Sequence, residues 1–195
     1  MLRYWRWMVV SLGMWWLCAS ATAVREVSLY QALQASALVF QGRVVDREVV
    51  TDAPRPFTRI HFEVEEVIKG DWPQSQLTLD FAGAPEVGLV VMAMRYPRVG
   101  EEGIYFVETL QKRLANPLYG WSQGYFRIER RGNRAVVLTA DGAPVQGLSV
   151  SQADAARLSR GRAKGVLVQR QSLQAPMTPG DFKAVLRRWL ETPHD

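Results

Sequence analysis

The chain has 195 residues, and its 24 Lys and Arg against 19 Asp and Glu give a formal net charge of +5 at pH 7. So small an excess of positive charge is weak support for an anionic partner such as nucleic acid. One cysteine excludes a scaffold of internal disulfides, and the length suits one domain of ordinary size.

The N-terminus has the pattern of a signal peptide, residues 1–23. Arg3 and Arg6 begin it, a nearly apolar run follows, and it ends in the A-x-A form of a leader-peptidase site. We expect cleavage after Ala23. The mature chain, 24–195, would then have no cysteine and would be periplasmic or secreted.

Two other interpretations of this N-terminus stay open. As an uncleaved membrane anchor, its apolar run would be shorter than the ~20 residues that a span usually needs. As a lipoprotein signal, it would be processed at Cys18, but Leu17 stands where that processing requires a small residue. Only the cleaved signal peptide leaves the mature chain without a membrane attachment.

The mature chain should begin with a short helix and then change to strands. Ser28 can cap a helix in which Leu29, Ala32 and Leu33 share one face. The β-branched and apolar run LVFQGRVV follows. Gly42 within this run predicts a bulge or a sharp bend.

Further strands are predicted by apolar runs and by alternation between apolar and polar residues. In the clearest case, 57–70, the apolar side chains of Ile60, Phe62 and Val64 lie on one face. The other predicted strands are QLTLDFAG (76–83), VGLVVMAM (87–94, a central or bent strand because both faces are apolar), IYFVETL (104–110), LYGWSQGYFRIER (118–130) and AVVLTADG (135–142, the last strand).

After residue 148 the composition becomes polar, small and basic. Residues 149–176 are interpreted as a polar linker or irregular segment, in which VLVQRQSL could add a marginal strand. Residues 177–195 form a helix and tail: Thr178 can cap it, Pro179 suits its first position and Asp181 its first turn. We expect the helix to dock on the strands through Phe182, Val185, Leu186, Trp189 and Leu190.

The order of the sequence landmarks resembles that of a known group of proteins. ALVFQGRVV, FTRIHFEVEEVIKG, QLTLDFAGAPEVGLVV, RVGEEGIYFVETL and YGWSQGYFRIER follow one another within roughly residues 26–140. This order resembles exported uncharacterised bacterial proteins, and VEEVIKG and SQGYFRI are its most specific pieces. More distantly, the strand order and the VIKG turn are similar to the netrin-like barrel of tissue inhibitors of metalloproteinases.

The resemblance implies a fold but no function. The implied fold is mainly β: an OB-like (netrin-like) antiparallel β-barrel over 24–148, with a short N-terminal helix and a C-terminal helix. Tissue inhibitors of metalloproteinases chelate the protease zinc with an N-terminal cysteine. Here the expected mature N-terminus is Val24, and the disulfides of those inhibitors are missing, so that mechanism is in doubt.

The residues give no recognisable catalytic or metal site. His61 and His194 are far apart in sequence, and no paired cysteines or Asp-rich loop accompany them. Glu63 and Glu65 share a polar strand face with His61, and with Glu66 they form an acidic cluster. A solvated face explains this cluster more simply than general acid–base catalysis does. We therefore predict no catalytic residue, no metal and no cofactor.

The stretch YGWSQGYFRI is the most suggestive for binding. Aromatics beside basic residues are typical of single-stranded nucleic-acid platforms on OB folds. Alternation, however, places Phe126 and Ile128 in the core, and export argues against nucleic acid as the partner. Trp121, Tyr125 and Arg127 remain as the outward groups and are the predicted binding residues. The basic side chains considered with them are Arg130, Arg131 and Arg134.

The expected function is that of an exported non-enzymatic binding module for a protein or peptide. Its sharpest form is a protease-inhibitor-like or accessory protein of the cell envelope, which rests on analogy of fold. Two alternatives stay open: a hydrolytic enzyme with an unrecognised site, and a structural envelope protein.

Overall fold

The chain is mainly β, with antiparallel sheets and two helices. The computed structural model describes residues 24–153, 156–168 and 175–192, so the predicted signal peptide, its cleavage site and His194 lie outside the described residues. In chain order the elements are α1 (Leu29–Ala35), β1 (Leu38–Val50), β2 (Phe57–Lys69), β3 (Gln76–Ala82), β4 (Glu102–Val107), β5 (Tyr125–Arg131), β6 (Arg134–Thr139), β7 (Val145–Leu148), β8 (Val166–Val168) and α2 (Pro179–Glu191).

Six strands form one sheet in the order β3-β2-β1-β4-β5-β6, and each of its ladders is antiparallel. β7 and β8 form a second, two-stranded sheet. Met177 connects the two sheets, because its N–H donates to the carbonyl of Val145 and its own carbonyl accepts from the N–H of Val137. Within the described segments no ladder joins β3 to β6, so the closed barrel that the resemblance implies is not found.

β1 is the strand on which the large sheet is built. It pairs with β2 over Val39–Val50 and with β4 over Leu38–Arg43. Its register against β2 shifts at three places, one of them between Gln41 and Gly42, so the predicted irregularity at Gly42 is confirmed. A Cβ added to Gly42 would lie 2.4 Å from the carbonyl oxygen of Glu63, and this close approach requires glycine.

Both helices form where the sequence predicts them, and they cover one face of the large sheet. Each begins with a complete capping box, at Ser28 in α1 and at Thr178 in α2. Phe182 of α2 packs its ring 4.9 Å from that of Phe126 of β5, centroid to centroid. Within the described parts of the chain, no helix has the length and apolar character needed to cross a membrane. The buried residues that the two helices contribute to this core are Leu29, Ala32, Leu33, Phe182, Leu186 and Trp189.

The opposite face of the sheet is also buried, and neither of the described helices lies over it. Its core holds one large aromatic residue from each of the first five strands: Phe40, Phe62, Phe81, Tyr105 and Tyr125. The connection between β3 and β4 supplies partly buried side chains that pack against this core. That connection therefore serves as part of the cover of the second core.

Two strand predictions are wrong, and a left-handed backbone explains both. The segment 87–94 follows a short 3-10 turn and is not a strand; Gly88 and Ala93 have φ of 83° and 62°. Residues 118–124 do not extend β5, because Gly120 and Trp121 have φ of 62° and 63° and lead into a 3-10 turn. Extended strands require negative φ, which local apolar composition does not reveal.

The C-terminal third adds more strand than the sequence predicts. β6 is not the last strand, since β7 and β8 follow it, and β8 corresponds to the marginal strand expected in VLVQRQSL. The segment between them returns to the N-terminus: Lys164 accepts a backbone hydrogen bond from Leu29 and donates one to Val27. Pairing between residues so far apart in sequence cannot be predicted from local sequence patterns.

Replacing Gly42 by Ala should destabilise the fold, because the new methyl group would overlap the backbone of β2. We expect a loss of about 1–3 kcal/mol in the free energy of unfolding, measured by urea denaturation. The matched control is Gly147→Ala, whose Cβ would meet Leu167 at an ordinary 3.5 Å; its effect should stay within about 0.5 kcal/mol. Equal effects of the two changes would contradict this account of β1.

Candidate functional site

The three predicted binding residues do not share one environment. Trp121 is half-buried in the 3-10 turn that precedes β5, and Arg127 is half-buried on β5. Tyr125 is only 3% exposed, so the expectation of an outward tyrosine is wrong. Alternation places it opposite Phe126 as expected, but that second face is itself buried, and Tyr125 stacks on Tyr105 with ring centroids 5.1 Å apart. The expected burial of Phe126 and Ile128 is confirmed.

Tyr125 and Arg127 line a cavity of about 670 Å³ between β5 and the connection that joins β3 to β4. Trp121 is not part of its lining. Four arginines contribute to the wall: Arg47 from β1, Arg95 and Arg98 from the connection, and Arg127. We call this cavity the arginine pocket. Its volume lies within the range of ligand sites in proteins.

Glu101 is the central carboxylate of the arginine pocket. Its Oε1 accepts a hydrogen bond from the Tyr125 hydroxyl and lies 2.9 Å from Nε of Arg127, although the Arg127 N–H is not aligned for a hydrogen bond. Its Oε2 accepts from the backbone N–H of Arg98 at 3.1 Å. Burial raises the pKa of the Tyr125 hydroxyl, and Tyr105 and Glu101 raise it further, so Tyr125 remains a neutral donor.

The connection between β3 and β4, which forms the wall of the arginine pocket opposite β5, is held in place through Arg47 and Tyr96. Nη2 of Arg47 lies 2.5 Å from Oε1 of Glu86, and its guanidinium stands 5.1 Å from the centroid of the Tyr96 ring. The Tyr96 hydroxyl donates to the carbonyl of Ala82 at 2.7 Å. These contacts fix both ends of the connection against β1 and β3.

Positive charge exceeds negative charge in the arginine pocket. Its two carboxylates, Glu86 and Glu101, already contact Arg47, Tyr125 and Arg127. The guanidinium groups of Arg95 and Arg98 have no hydrogen bond or ion pair with any residue that the structure describes. A site with two unpaired guanidinium groups can receive an anionic group, such as a carboxylate or a phosphate, in bidentate geometry.

An exposed apolar segment directly adjoins the arginine pocket. Its residues Val90 and Met92 are 71% and 76% exposed, and Val87 and Leu89 are exposed as well. The pocket-lining residues Glu86 and Ala93 flank it on both sides. We call residues 87–92 the apolar loop. Adjacent exposed apolar side chains beside a polar pocket are typical of interaction sites.

The acidic cluster predicted around His61 does not form a compact site. The His61 ring contacts Thr78, with Nδ1 3.0 Å from the hydroxyl, and Nε2 lies 3.7 Å from Glu48. Glu66 instead binds Lys183 and Arg187 of α2; burial tends to raise its pKa, but these two partners lower it below its usual value. Across the described residues, no group of three or more His, Cys, Asp or Glu is arranged to hold a metal ion.

The basic residues considered for nucleic acid are largely paired with acids. Arg130 lies 3.7 Å from Glu102, and Arg131 lies 2.9 Å from Glu129. Arg134 is exposed at the start of β6. Pairing of this kind reduces the positive potential that phosphate binding requires.

Sequence reasoning missed most of the arginine pocket. Arg95, Arg98 and Glu101 lie in RYPRVGEEG, which the sequence presents only as a turn-rich connection. Gln123 of the SQGYFRI motif was also missed, and its role is structural: its amide accepts from the N–H of Val27 and donates to the carbonyl of Arg25. The available signal was a pair of arginines, Arg95 and Arg98, that follow an apolar run.

No protein-family model matches the chain, and no curated protein sequence matches it either. The resemblance to exported bacterial proteins and to netrin-like barrels therefore stays a prediction.

Replacing Tyr125 by Phe should change how stability depends on pH. In the unfolded chain Tyr125 ionises near pH 10, whereas in the fold its raised pKa keeps it neutral. The stability that it contributes is therefore complete below about pH 10 and is lost as pH rises further. At pH 7 the variant should lose about 1–3 kcal/mol in the free energy of unfolding, because the hydrogen bond to Glu101 is gone.

Above pH 10 this difference should shrink by up to about 1.4 kcal/mol per pH unit. Urea denaturation of both proteins between pH 7 and pH 11 measures it, and the difference at pH 7 serves as the internal control. A difference that stays constant over this range would contradict the buried, neutral state of Tyr125.

Proposed function

We propose that the protein is an exported, non-enzymatic binding module that receives an acidic and partly apolar segment of another protein. The carboxylate of this segment enters the arginine pocket, and its apolar side chains cover the apolar loop. One observation carries the proposal: Arg95 and Arg98, whose guanidinium groups are unpaired, line a pocket whose residues Glu86 and Ala93 flank the exposed apolar loop. Charge recognition and apolar contact are thus offered to one ligand side by side.

The proposal includes an OB-like, netrin-like origin for the sheet. A core with one aromatic residue from each of five successive strands, from Phe40 to Tyr125, is what a sheet curled toward a barrel produces. The register shifts of β1 supply the bending that such curling needs. In this view the connection between β3 and β4 covers the side on which the barrel stays open.

The sharpest form of the proposal is a protease-inhibitor-like or accessory protein of the cell envelope. The signal-peptide pattern of residues 1–23 supports export. The mode of inhibition would differ from zinc chelation by an N-terminal cysteine, because binding would use the arginine pocket. His61, Glu63 and Glu65 lie apart from that pocket's lining, which favours a binding role for it over a catalytic one.

The charge requirement can be tested by reversing the two unpaired arginines. A library of random linear peptides selected on the wild-type protein should give sequences in which Asp or Glu neighbours apolar residues. The variant Arg95→Glu/Arg98→Glu should bind these peptides at least about tenfold more weakly, because each carboxylate loses its charge-assisted hydrogen bonds.

The matched control is Arg55→Glu/Arg160→Glu, which makes the same change in net charge at two exposed arginines outside the pocket. It should bind as the wild type does, apart from a small effect of long-range charge. Selected peptides without acidic residues, or equal weakening in both double variants, would contradict the proposal.

The apolar loop has its own test. Val90→Ser/Met92→Ser should weaken binding of the selected peptides about 10- to 100-fold, because the contact of two apolar side chains is lost. Circular dichroism should show an unchanged fold, since both side chains are exposed. The control Leu158→Ser/Leu167→Ser removes two apolar side chains of similar exposure elsewhere on the surface. Loss of affinity in the control alone would place the binding surface elsewhere.

A further inference from the structure

β3 is an edge strand of the large sheet, and its backbone groups alternate between β2 and the outside. Val64 of β2 donates to the carbonyl of Ser75, which fixes the phase of the ladder. The backbone groups of Leu77, Leu79 and Phe81 consequently point to β2. Those of Gln76, Thr78, Asp80 and Ala82 point away from it.

One end of this outer edge is occupied and the other partly so, whereas its middle is not. The N–H of Ala82 donates to the carbonyl of Ala115 at 2.8 Å, and the carbonyl of Ala82 accepts from Tyr96. The carbonyl of Gln76 accepts from the Trp72 indole at 3.1 Å. Between them, the backbone N–H and C=O groups of Thr78 and Asp80 have no partner among the residues that the structure describes.

A cavity of about 490 Å³ lies against this unpaired stretch. Thr78, Leu79 and Asp80 of β3, together with Arg59 and His61 of β2, form one wall. The connection between β4 and β5, residues 109–114, forms the opposite wall. Arg113 secures that opposite wall at one end, because its Nη2 donates to Asp80 at 2.7 Å and its guanidinium stacks on Phe57. The connection therefore stands beside β3 without pairing with its middle. We call this cavity the β3 groove.

The walls of the β3 groove specify the chemistry of an occupant. Arg59, Lys112 and Arg113 supply three positive charges, while Asp80 is the one carboxylate of the lining and already binds both arginines. Lys112 has no hydrogen bond or ion pair within the described segments. Leu110, Leu114 and Pro117 add an apolar surface.

We infer that the β3 groove accepts an extended acidic segment of a partner protein as an added strand. The segment pairs its backbone with Thr78 and Asp80, places an acidic side chain toward Lys112 and places apolar side chains against Leu110 and Leu114. Addition of a strand to an exposed edge takes affinity from backbone hydrogen bonds and specificity from alternate side chains. The β3 groove shares no lining residue with the arginine pocket, so the inference stands apart from the proposed function.

The test uses the blocked peptide acetyl-Val-Glu-Val-Glu-Val-amide and the full-length mature chain carrying Arg95→Glu/Arg98→Glu, which disables the arginine pocket. Titration followed by NMR should show saturable binding at or below millimolar concentration. Hydrogen exchange at the amides of Thr78 and Asp80 should become at least about tenfold slower in the presence of saturating peptide, since these edge amides gain partners.

Two matched pairs separate strand addition from simple charge attraction. The first is Thr78→Pro against Thr78→Val: both remove the hydroxyl that contacts His61, but only proline removes the outward N–H, without loss of a bond to β2. Thr78→Pro should bind about 2- to 10-fold more weakly than Thr78→Val, which corresponds to one net hydrogen bond. The second pair is the peptide against its form N-methylated at the amides that face β3, which should bind at least about tenfold more weakly.

Equal affinities within either pair, absence of binding at millimolar peptide, or unchanged exchange at Thr78 and Asp80 would each overturn the inference.

Discussion

The structure depends on the burial of β1 on both of its faces. Val39 enters the core beneath the two helices, while Leu38, Phe40 and Val44 enter the opposite core. β1 also joins the two halves of the large sheet, because β2 and β3 attach on one side and β4 to β6 on the other. Close approach to β2 at Gly42 is therefore a condition for both cores at once, since a displaced β1 would open each of them.

Because both faces of β1 are buried, each face of the large sheet needs a cover that excludes water. The candidate site lies in one of these covers. The two helices cover one face. Among the described residues the other face is covered by connections, and two of their side chains, Met94 and Tyr96, pack against that core. The connection between β3 and β4 contacts the rest of the fold through a few side chains, so its other residues can face solvent. This explains why Val90 and Met92 stand exposed within a segment that is nearly all apolar, and why Arg95 and Arg98 lie next to anchored residues.

Features with a local cause were predictable, and features set by distant partners were not. The capping boxes at Ser28 and Thr178 and the irregularity at Gly42 follow from a few neighbouring residues. Alternation gave the correct face for Tyr125, but what covers a face is decided by other elements, so its burial could not be inferred. The apolar run 87–94 indicates either burial in the core or contact with a partner, and the sequence does not distinguish the two. The arginine pocket forms only where β1, β5 and a connection meet in space.

The buried tyrosines connect the core to the charge of the candidate site. Tyr105 stacks on both Phe40 and Tyr125, and the Tyr125 hydroxyl holds Glu101 at the edge of the cavity. Glu101 therefore has little freedom to turn toward the guanidinium groups of Arg95 and Arg98. A carboxylate fixed in this way neutralises Arg127 and leaves the other two arginines to an incoming anion. Because the folded core positions Tyr125, and through it Glu101 and Arg127, a ligand would find this part of the site already in place, and less of its binding free energy would be lost in ordering it.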